Sequence, residues 1–252
     1  MKDTTVKQLN QLNSDFYKSV AVDFDDSRQY FWQGWEKIPP LLDTSKSIRV
    51  ADIGCGNGRF GQFLLEKCPE TKLSYTGIDS SKSLLDFATK KLQGKIPALH
   101  LKEVDIVQAI QKKEDFLKNE TFQLITSFGV FHHIPSFEFR LELLTYLASK
   151  LSKDGYLIVS FWQFMNFERL RKKIISVEKD YASSSLDINF ADLEKNDYIL
   201  DWNRGATALR YCHFIDAAET LKLVELSKMK LVTSYLADGK EGSVNSYIVL
   251  QQ

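Results

Sequence analysis

What the chain lacks narrows its identity first. Its 252 residues include only three cysteines, Cys55, Cys68 and Cys212. Their spacing makes neither a disulfide framework nor a Cys-x-x-Cys metal site, and a reducing, cytoplasmic address is the expectation. There is no surplus charge, because 33 Lys and Arg balance 33 Asp and Glu. That balance weighs against a protein that coats nucleic acid by charge alone. There is no long apolar run either. The longest, Tyr156–Met165, is interrupted by Ser160 and Gln163 and is too short to span a bilayer. The opening stretch MKDTTVKQLNQLN lacks the apolar centre of a signal peptide. Neither feature suggests a membrane partner. What is present is ordinary: 44% hydrophobic residues, enough to bury a core, which excludes a disordered, collagen-like or disulfide-scaffold protein.

The order of elements carries more. Thr5–Val20 and Ser27–Leu42 read as helices, the second ended by Pro39-Pro40. Short apolar strands are expected at Ile48–Ile53, Leu73–Ile78, Ala98–Val104, Gln123–Phe128 and Tyr156–Trp162. Helical patterns follow at Phe60–Lys67, Ser80–Leu92 and Ser136–Leu151. Strands alternating with helices imply right-handed βαβ units and a parallel sheet. Residues Glu168–Arg210 break the rhythm with a basic helix, three serines (Ser183, Ser184, Ser185) and several aromatics. Phe214–Lys228 is helical again, and Leu231–Leu236 with Ser246–Leu250 closes the sheet as an antiparallel pair. A single domain over residues 1–252 is expected, with a helical cap over 1–45 and a substrate-side insertion over 165–212.

The strongest local signal is Asp52-Ile53-Gly54-Cys55-Gly56-Asn57-Gly58, a strand running into three alternate glycines with a helix beyond. Glycines there allow positive φ and close approach of a ligand, and the helix start offers N–H groups. Gly56, Gly58 and Gly61 satisfy a dinucleotide fingerprint. Counted from Gly54 at the strand end, however, the third position of that fingerprint is Arg59. Asp79 ends the second strand, before Ser80, and can accept ribose hydroxyls. Asp105 and Ile106 end the third and suit an adenine amino group and ring face. Ser127 and Phe128 end the fourth. All four places are carboxyl ends of parallel strands, where open α/β sheets bind ligands. Over Ile48–Trp162 the chain resembles the class I S-adenosylmethionine (SAM)-dependent methyltransferases. The resemblance implies a Rossmann-like, mostly parallel seven-stranded sheet with an antiparallel edge strand and helices on both faces. It also implies SAM as cofactor, S-adenosylhomocysteine (SAH) as product, and no metal.

Outside these motifs, Phe131-His132-His133-Ile134 follows the fourth strand. Adjacent histidines do not face one site, so a single pocket histidine, His132, is favoured over a metal pair. Trp162 ends the fifth strand, and Trp202, Arg204, Arg210, Tyr211 and His213 cluster late in the insertion. Arginine interleaved with aromatics suits an anionic, planar substrate. Taken with Ser27-Arg28-x-x-x-Trp32, the set resembles the tRNA wobble-uridine carboxymethyl methyltransferases, which esterify 5-carboxymethyluridine. By that resemblance Arg28, His132, Trp162, Trp202, Arg210 and His213 belong to the acceptor pocket, and the substrate is a tRNA anticodon loop. A small activator protein pairing with the sheet edge is a further implied partner. The chain departs from the family at Ile134, Cys212 and Ile215–Glu219. Rival readings are a methyltransferase of a small metabolite, a catalytically silent SAM-fold subunit and, more distantly, a nicotinamide enzyme. The basic run Arg169, Arg171, Lys172 and Lys173 opens the insertion, so a neutral total still permits a local basic face.

Overall fold

In the computed structural model, residues 1–118, 120–175, 188–204 and 206–252 are described. Ser183–Ser185 lie outside them. Seven strands form one sheet: β1 (Ile48–Ile53), β2 (Leu73–Asp79), β3 (Ala98–Glu103), β4 (Phe122–Phe128), β5 (Leu151–Trp162), β8 (Lys230–Ala237) and β9 (Asn245–Gln251). Their order is β3-β2-β1-β4-β5-β9-β8. The first five are parallel, and β9 runs antiparallel to both β5 and β8. The chain winds outward from β1 to β3 and then returns to lay β4 on the other side of β1. That reversal places a crevice above the carboxyl ends of β1 and β4.

Both faces of the sheet are buried along its central strands β1, β4, β5 and β9, as a parallel sheet core requires, while the edge strand β8 is largely exposed. Along each strand successive side chains alternate between faces. Val50, Leu124, Ile158 and Val249 meet Trp35, Phe60 and Phe63 on one side. Ala51, Ile125, Leu157 and Ile248 meet Ile110, Leu143 and Leu147 on the other. Among the described residues the helices are α1 (Asp3–Ser27), α2 (Arg59–Lys67), α3 (Lys82–Leu92), α4 (Ile106–Gln111), α5 (Phe137–Ser149), α6 (Glu168–Arg171) and α7 (Ala217–Ser227).

Three local expectations are corrected. The first helix runs on to Ser27, and the expected helix Ser27–Leu42 is two short 3-10 turns, Gln33–Lys37 and Pro39–Leu41. Acidic residues at a helix C-terminus oppose its dipole. Here Asp25 instead accepts from Lys91 Nζ at 2.6 Å and Asn57 Nδ2 at 2.7 Å, which holds the last turn. The helix α4, between β3 and β4, was not foreseen. It is six residues long, too short for a clear apolar period, and is capped by the Asp105 carboxylate. The insertion opens with the expected basic helix, Glu168–Arg171, but its later part is an antiparallel hairpin, β6 (Asp197–Arg204) and β7 (Ala206–His213), for which no strands were expected.

The segment before the hairpin and the helix after it are both tied to α5 by Arg140, whose side chain is wholly buried. Its Nε donates to Glu219 on α7 at 2.7 Å, Nη2 to Glu194 at 2.6 Å, and Nη1 to the Ile134 carbonyl at 2.9 Å. Removing one partner of a buried pair leaves uncompensated charge. Arg140→Ala is therefore expected to lower stability by about 3–5 kcal/mol, read as a reduced urea midpoint. A change below about 1 kcal/mol would show the network to be solvated and weak.

Candidate functional site

The glycine loop after β1 is shaped by close packing. Gly54 has φ +73°, and a Cβ there would lie 2.2 Å from Val130 Cγ2, so no larger residue fits. The loop amides are largely engaged within the fold. Gly54 and Cys55 N–H groups donate to the Ile78 carbonyl, and Gly56 N–H donates to Asp79 at 2.9 Å. These bonds hold the ends of β1 and β2 together. The other Asp79 oxygen accepts from Ser81 N–H at 2.8 Å. Burial raises the Asp79 pKa, opposed by these N–H donors.

Two cavities open above the strand ends. The first is lined by Gly54, Gly56, Asp79, Ser80, Asp105, Ile106 and Phe128, and by Asn10, Asn13, Ser14, Tyr17 and Phe24 of α1. Asp105 accepts from Asn10 Nδ2 at 2.7 Å as well as capping α4. The second is lined by Arg28, Trp32, Trp35, Asp52, Cys55, Asn57, Arg59, His132, Trp162 and Arg210. Tyr17, Phe24, Gly54, Gly56, Phe128 and Gly129 border both, so the cavities meet at a neck. The first cavity fits an adenosine: carboxylates at two strand ends, an apolar wall, and glycines where a Cβ would intrude. Asp79 and Asp105 would hold the polar groups of that ligand, and Ile106 and Leu84 its flat face.

Asp52 faces the second cavity but is internally satisfied. It accepts from Tyr75 Oη at 2.5 Å and Thr126 Oγ1 at 2.8 Å. Burial pushes its pKa up to about 6, against the pull of those two donors.

Arg210 lies across the second cavity. Its guanidinium carbon is 4.8 Å from the Trp162 ring centroid, 5.2 Å from Phe16 and 5.6 Å from Trp202. Arg210 is only 6% exposed, and its Nε has no hydrogen-bond partner. Among the described residues no carboxylate pairs with it. His132 is buried with Nδ1 unpartnered, and its ring lies 5.5 Å from Trp162. Burial, the neighbouring His133 and Arg210 together hold its pKa far below the usual histidine range. His133 Nδ1 faces the Tyr211 carbonyl at 2.8 Å, and its Nε2 faces Tyr17 Oη at 3.0 Å. Burial, reinforced by Arg210, lowers its pKa to about 3.

Four expected site residues lie elsewhere. Gly58 does not touch either cavity; with φ +75° it packs the start of α2 against Ala88 of α3. Ser127 is fully buried, behind the cavity wall. Trp202 packs edge-on against Phe16 at 5.7 Å and stands behind Arg210. His213 sits in the Arg140 network, with Nδ1 2.6 Å from Asp197 and Nε2 2.7 Å from Glu219. Conversely, Tyr17, Trp32, Trp35 and Arg59 were not proposed as site residues. Arg59 donates to the Tyr30 carbonyl and lies over Trp32 and Trp35 at 5.3 and 5.0 Å. Its place one residue after the glycine loop was the available signal. Two groups have metal-ligand types within 4.8 Å of one another, His132/His133/Cys212 and Glu194/Asp197/His213. A guanidinium stands beside each, Arg210 and Arg140 respectively, which disfavours a second cation.

The comparisons agree with this architecture. The family described as a methyltransferase domain matches residues 51–157. A carboxy-S-adenosyl-L-methionine synthase of Campylobacter jejuni is 30% identical over 188 residues, covering 72% of this chain and 75% of that protein. The chain belongs to the SAM-dependent methyltransferases. A tRNA (carboxymethyluridine(34)-5-O)-methyltransferase of Saccharomyces cerevisiae is 28% identical over 147 residues, covering 58% of this chain and 46% of the yeast protein. The match thus spans about half of that relative. In fold, a SAM-dependent methyltransferase from Clostridium acetobutylicum superposes with a TM-score of 0.64 at 14% identity, covering 94% and 98% of the two chains. The methyltransferase is therefore a SAM-dependent enzyme of the class I fold.

His213 then has a stabilising role in this methyltransferase. Burial alone would depress its pKa, but the Asp197 and Glu219 carboxylates outweigh burial and raise it above 6.5. A raised histidine contributes stability that is complete below its unfolded pKa and is lost as pH climbs through the folded one. The melting temperature of the parent should exceed that of His213→Gln most at pH 6, with the gap closing toward pH 9. SAM affinity, measured by calorimetry at pH 6, should stay within about threefold, since the residue acts on stability and not on the ligand.

Proposed function

We propose that this methyltransferase esterifies a carboxylate, and that its acceptor is 5-carboxymethyluridine at the tRNA wobble position. The observation that carries the carboxylate is Arg210. A desolvated guanidinium without a counter-ion is costly. Three aromatic faces offset part of that cost, and an anionic ligand would complete it. Arg28 and Arg59 border the same cavity, so the acceptor enters a cationic, aromatic chamber.

The residues near the neck favour a nucleophile that needs no base. His132 and His133 are both weak bases, held neutral by burial and by Arg210. Both Asp52 oxygens already accept hydrogen bonds. An amine or hydroxyl acceptor would need a proton removed; a carboxylate is ionised at neutral pH. Bound SAM supplies an electrophilic methyl group. Around it, Phe128 and Trp162 exclude water, and Arg210 orients the carboxylate with its second oxygen held. A dry wall suits a reaction in which opposite charges cancel.

The tRNA part rests on the motifs shared with the wobble carboxymethyl family and on the name of the yeast relative. The basic run contributes less than its composition suggests. Arg169 is paired bidentately with Glu241, and Lys172 with Glu168. Affinity would come from the chamber, or from a partner protein that adds positive surface.

The test is incubation with SAM and tRNA carrying carboxymethyluridine, with and without a candidate activator, followed by mass spectrometry of the digested nucleosides. The methyl ester is expected. Its absence, with SAM binding intact and activator supplied, refutes the assignment, and product from a small carboxylate alone would favour a metabolite acceptor. Arg210→Ala should cut kcat/KM roughly 10- to 100-fold, the scale of a lost charged hydrogen bond, while SAM binding by calorimetry is retained.

A further inference from the structure

Tyr17 is the one ring of α1 that borders both cavities and also has a fixed hydroxyl partner. The direction of that hydrogen bond follows from its neighbours. His133 Nδ1 lies 2.8 Å from the Tyr211 carbonyl, which can only accept, so Nδ1 carries the proton. The same imidazole is neutral, so Nε2 has a lone pair and no hydrogen. Tyr17 Oη, 3.0 Å from Nε2, must therefore donate its only proton to His133. What remains on the hydroxyl is acceptor capacity alone. The Tyr17 pKa is pushed up to about 12 by burial, so the group is a neutral phenol and not a phenolate.

Tyr17 sits where the adenosine cavity and the acceptor chamber join, with Gly54, Gly56, Phe128 and Gly129. In methyl transfer between the two cavities the reacting sulfonium centre belongs at this neck. A donor there would repel it; an oxygen with its proton turned away attracts the polarised C–H bonds of a methyl on a cationic sulfur. We propose that Tyr17, with its hydroxyl proton committed to His133, is a positioning residue that favours the methyl-bearing cationic cofactor over the neutral demethylated product. The proposal concerns the cofactor side and holds for any acceptor.

The test uses the full chain and three ligands whose affinities are measured by calorimetry: SAM, SAH, and sinefungin, which carries an ammonium in place of the methylated sulfonium. Tyr17→Phe removes only the oxygen. SAM affinity should fall about fivefold, the scale of one or two C–H···O contacts, and sinefungin affinity at least as much. SAH affinity should stay within about twofold, so the preference of the parent for SAM over SAH shrinks. An equal fall for all three ligands would mark a purely structural role, and no change for any would show that the oxygen does not contact the ligand; either overturns the proposal. Failure of the parent to bind SAM or SAH would overturn it together with the assignment of the first cavity, whatever the acceptor assay shows.

Discussion

The site depends on how the backbone of one residue is held on both sides of its Cα. Tyr211 N–H donates to Asn13 Oδ1 at 2.8 Å, and the Tyr211 carbonyl accepts from His133 Nδ1 at the same distance. The first bond joins β7 to α1, the second joins β7 to the turn after β4. Neither α1 nor the hairpin belongs to the central sheet, and this clamp joins them to each other and to the turn after β4 at the point where the cavities lie. Arg210 precedes Tyr211 directly, and its guanidinium is placed because the backbone beside it cannot shift. The second bond also sets the His133 tautomer, and through it the hydroxyl of Tyr17. The clamp thus acts on both cavities at once.

Placing a guanidinium that no carboxylate among the described residues pairs with in this interior has electrostatic consequences beyond its own solvation. The field of Arg210 reinforces burial in keeping His132 and His133 neutral. It weakens both imidazoles as bases and disfavours a cation beside them, while the faces of Trp162, Phe16 and Trp202 supply partial compensation. Burial of the neighbouring Cys212 raises its thiol to about 11, so no thiolate forms beside the guanidinium to neutralise it. The fold keeps the positive charge for a ligand.

Much of the cofactor side was legible in the sequence because it rests on local rules. Strand, glycine turn and helix start are short-range, and Asp79 and Asp105 lie at strand ends that apolar runs mark. The acceptor side depends on contacts between distant segments. The pattern of α1 shows that Leu9, Phe16 and Val20 are buried, but not that Asn10, Asn13 and Tyr17 on the adjoining surface cover a cavity. The assignment of His213 failed for a reason of parity. In a strand, successive side chains face opposite sides, so Arg210 and Cys212 share one face of β7 while Tyr211 and His213 share the other with Asp197. Without a strand assigned to this stretch, that constraint could not be applied. Trp202 pairs with Ala208 in the hairpin register, opposite a position two residues from Arg210. This diagonal relation makes it a support for the guanidinium and not a wall of the chamber.

The exact balance of charges also acquires a different meaning. Neutrality over the whole chain is compatible with a strongly cationic interior because the acids near the chamber are consumed by hydrogen bonds. Asp238 accepts from Gly34 N–H, Asn245 and Tyr247, and Asp52 from Tyr75 and Thr126. At the surface the basic run is largely offset by its own glutamates. Positive potential is thus stronger inside the chamber than outside it, where screening is greatest. An anion gains most by entering completely, which selects for a small or protruding anionic group over an extended anionic surface. A modified nucleobase turned out of its loop meets that requirement; an uninterrupted phosphate backbone does not.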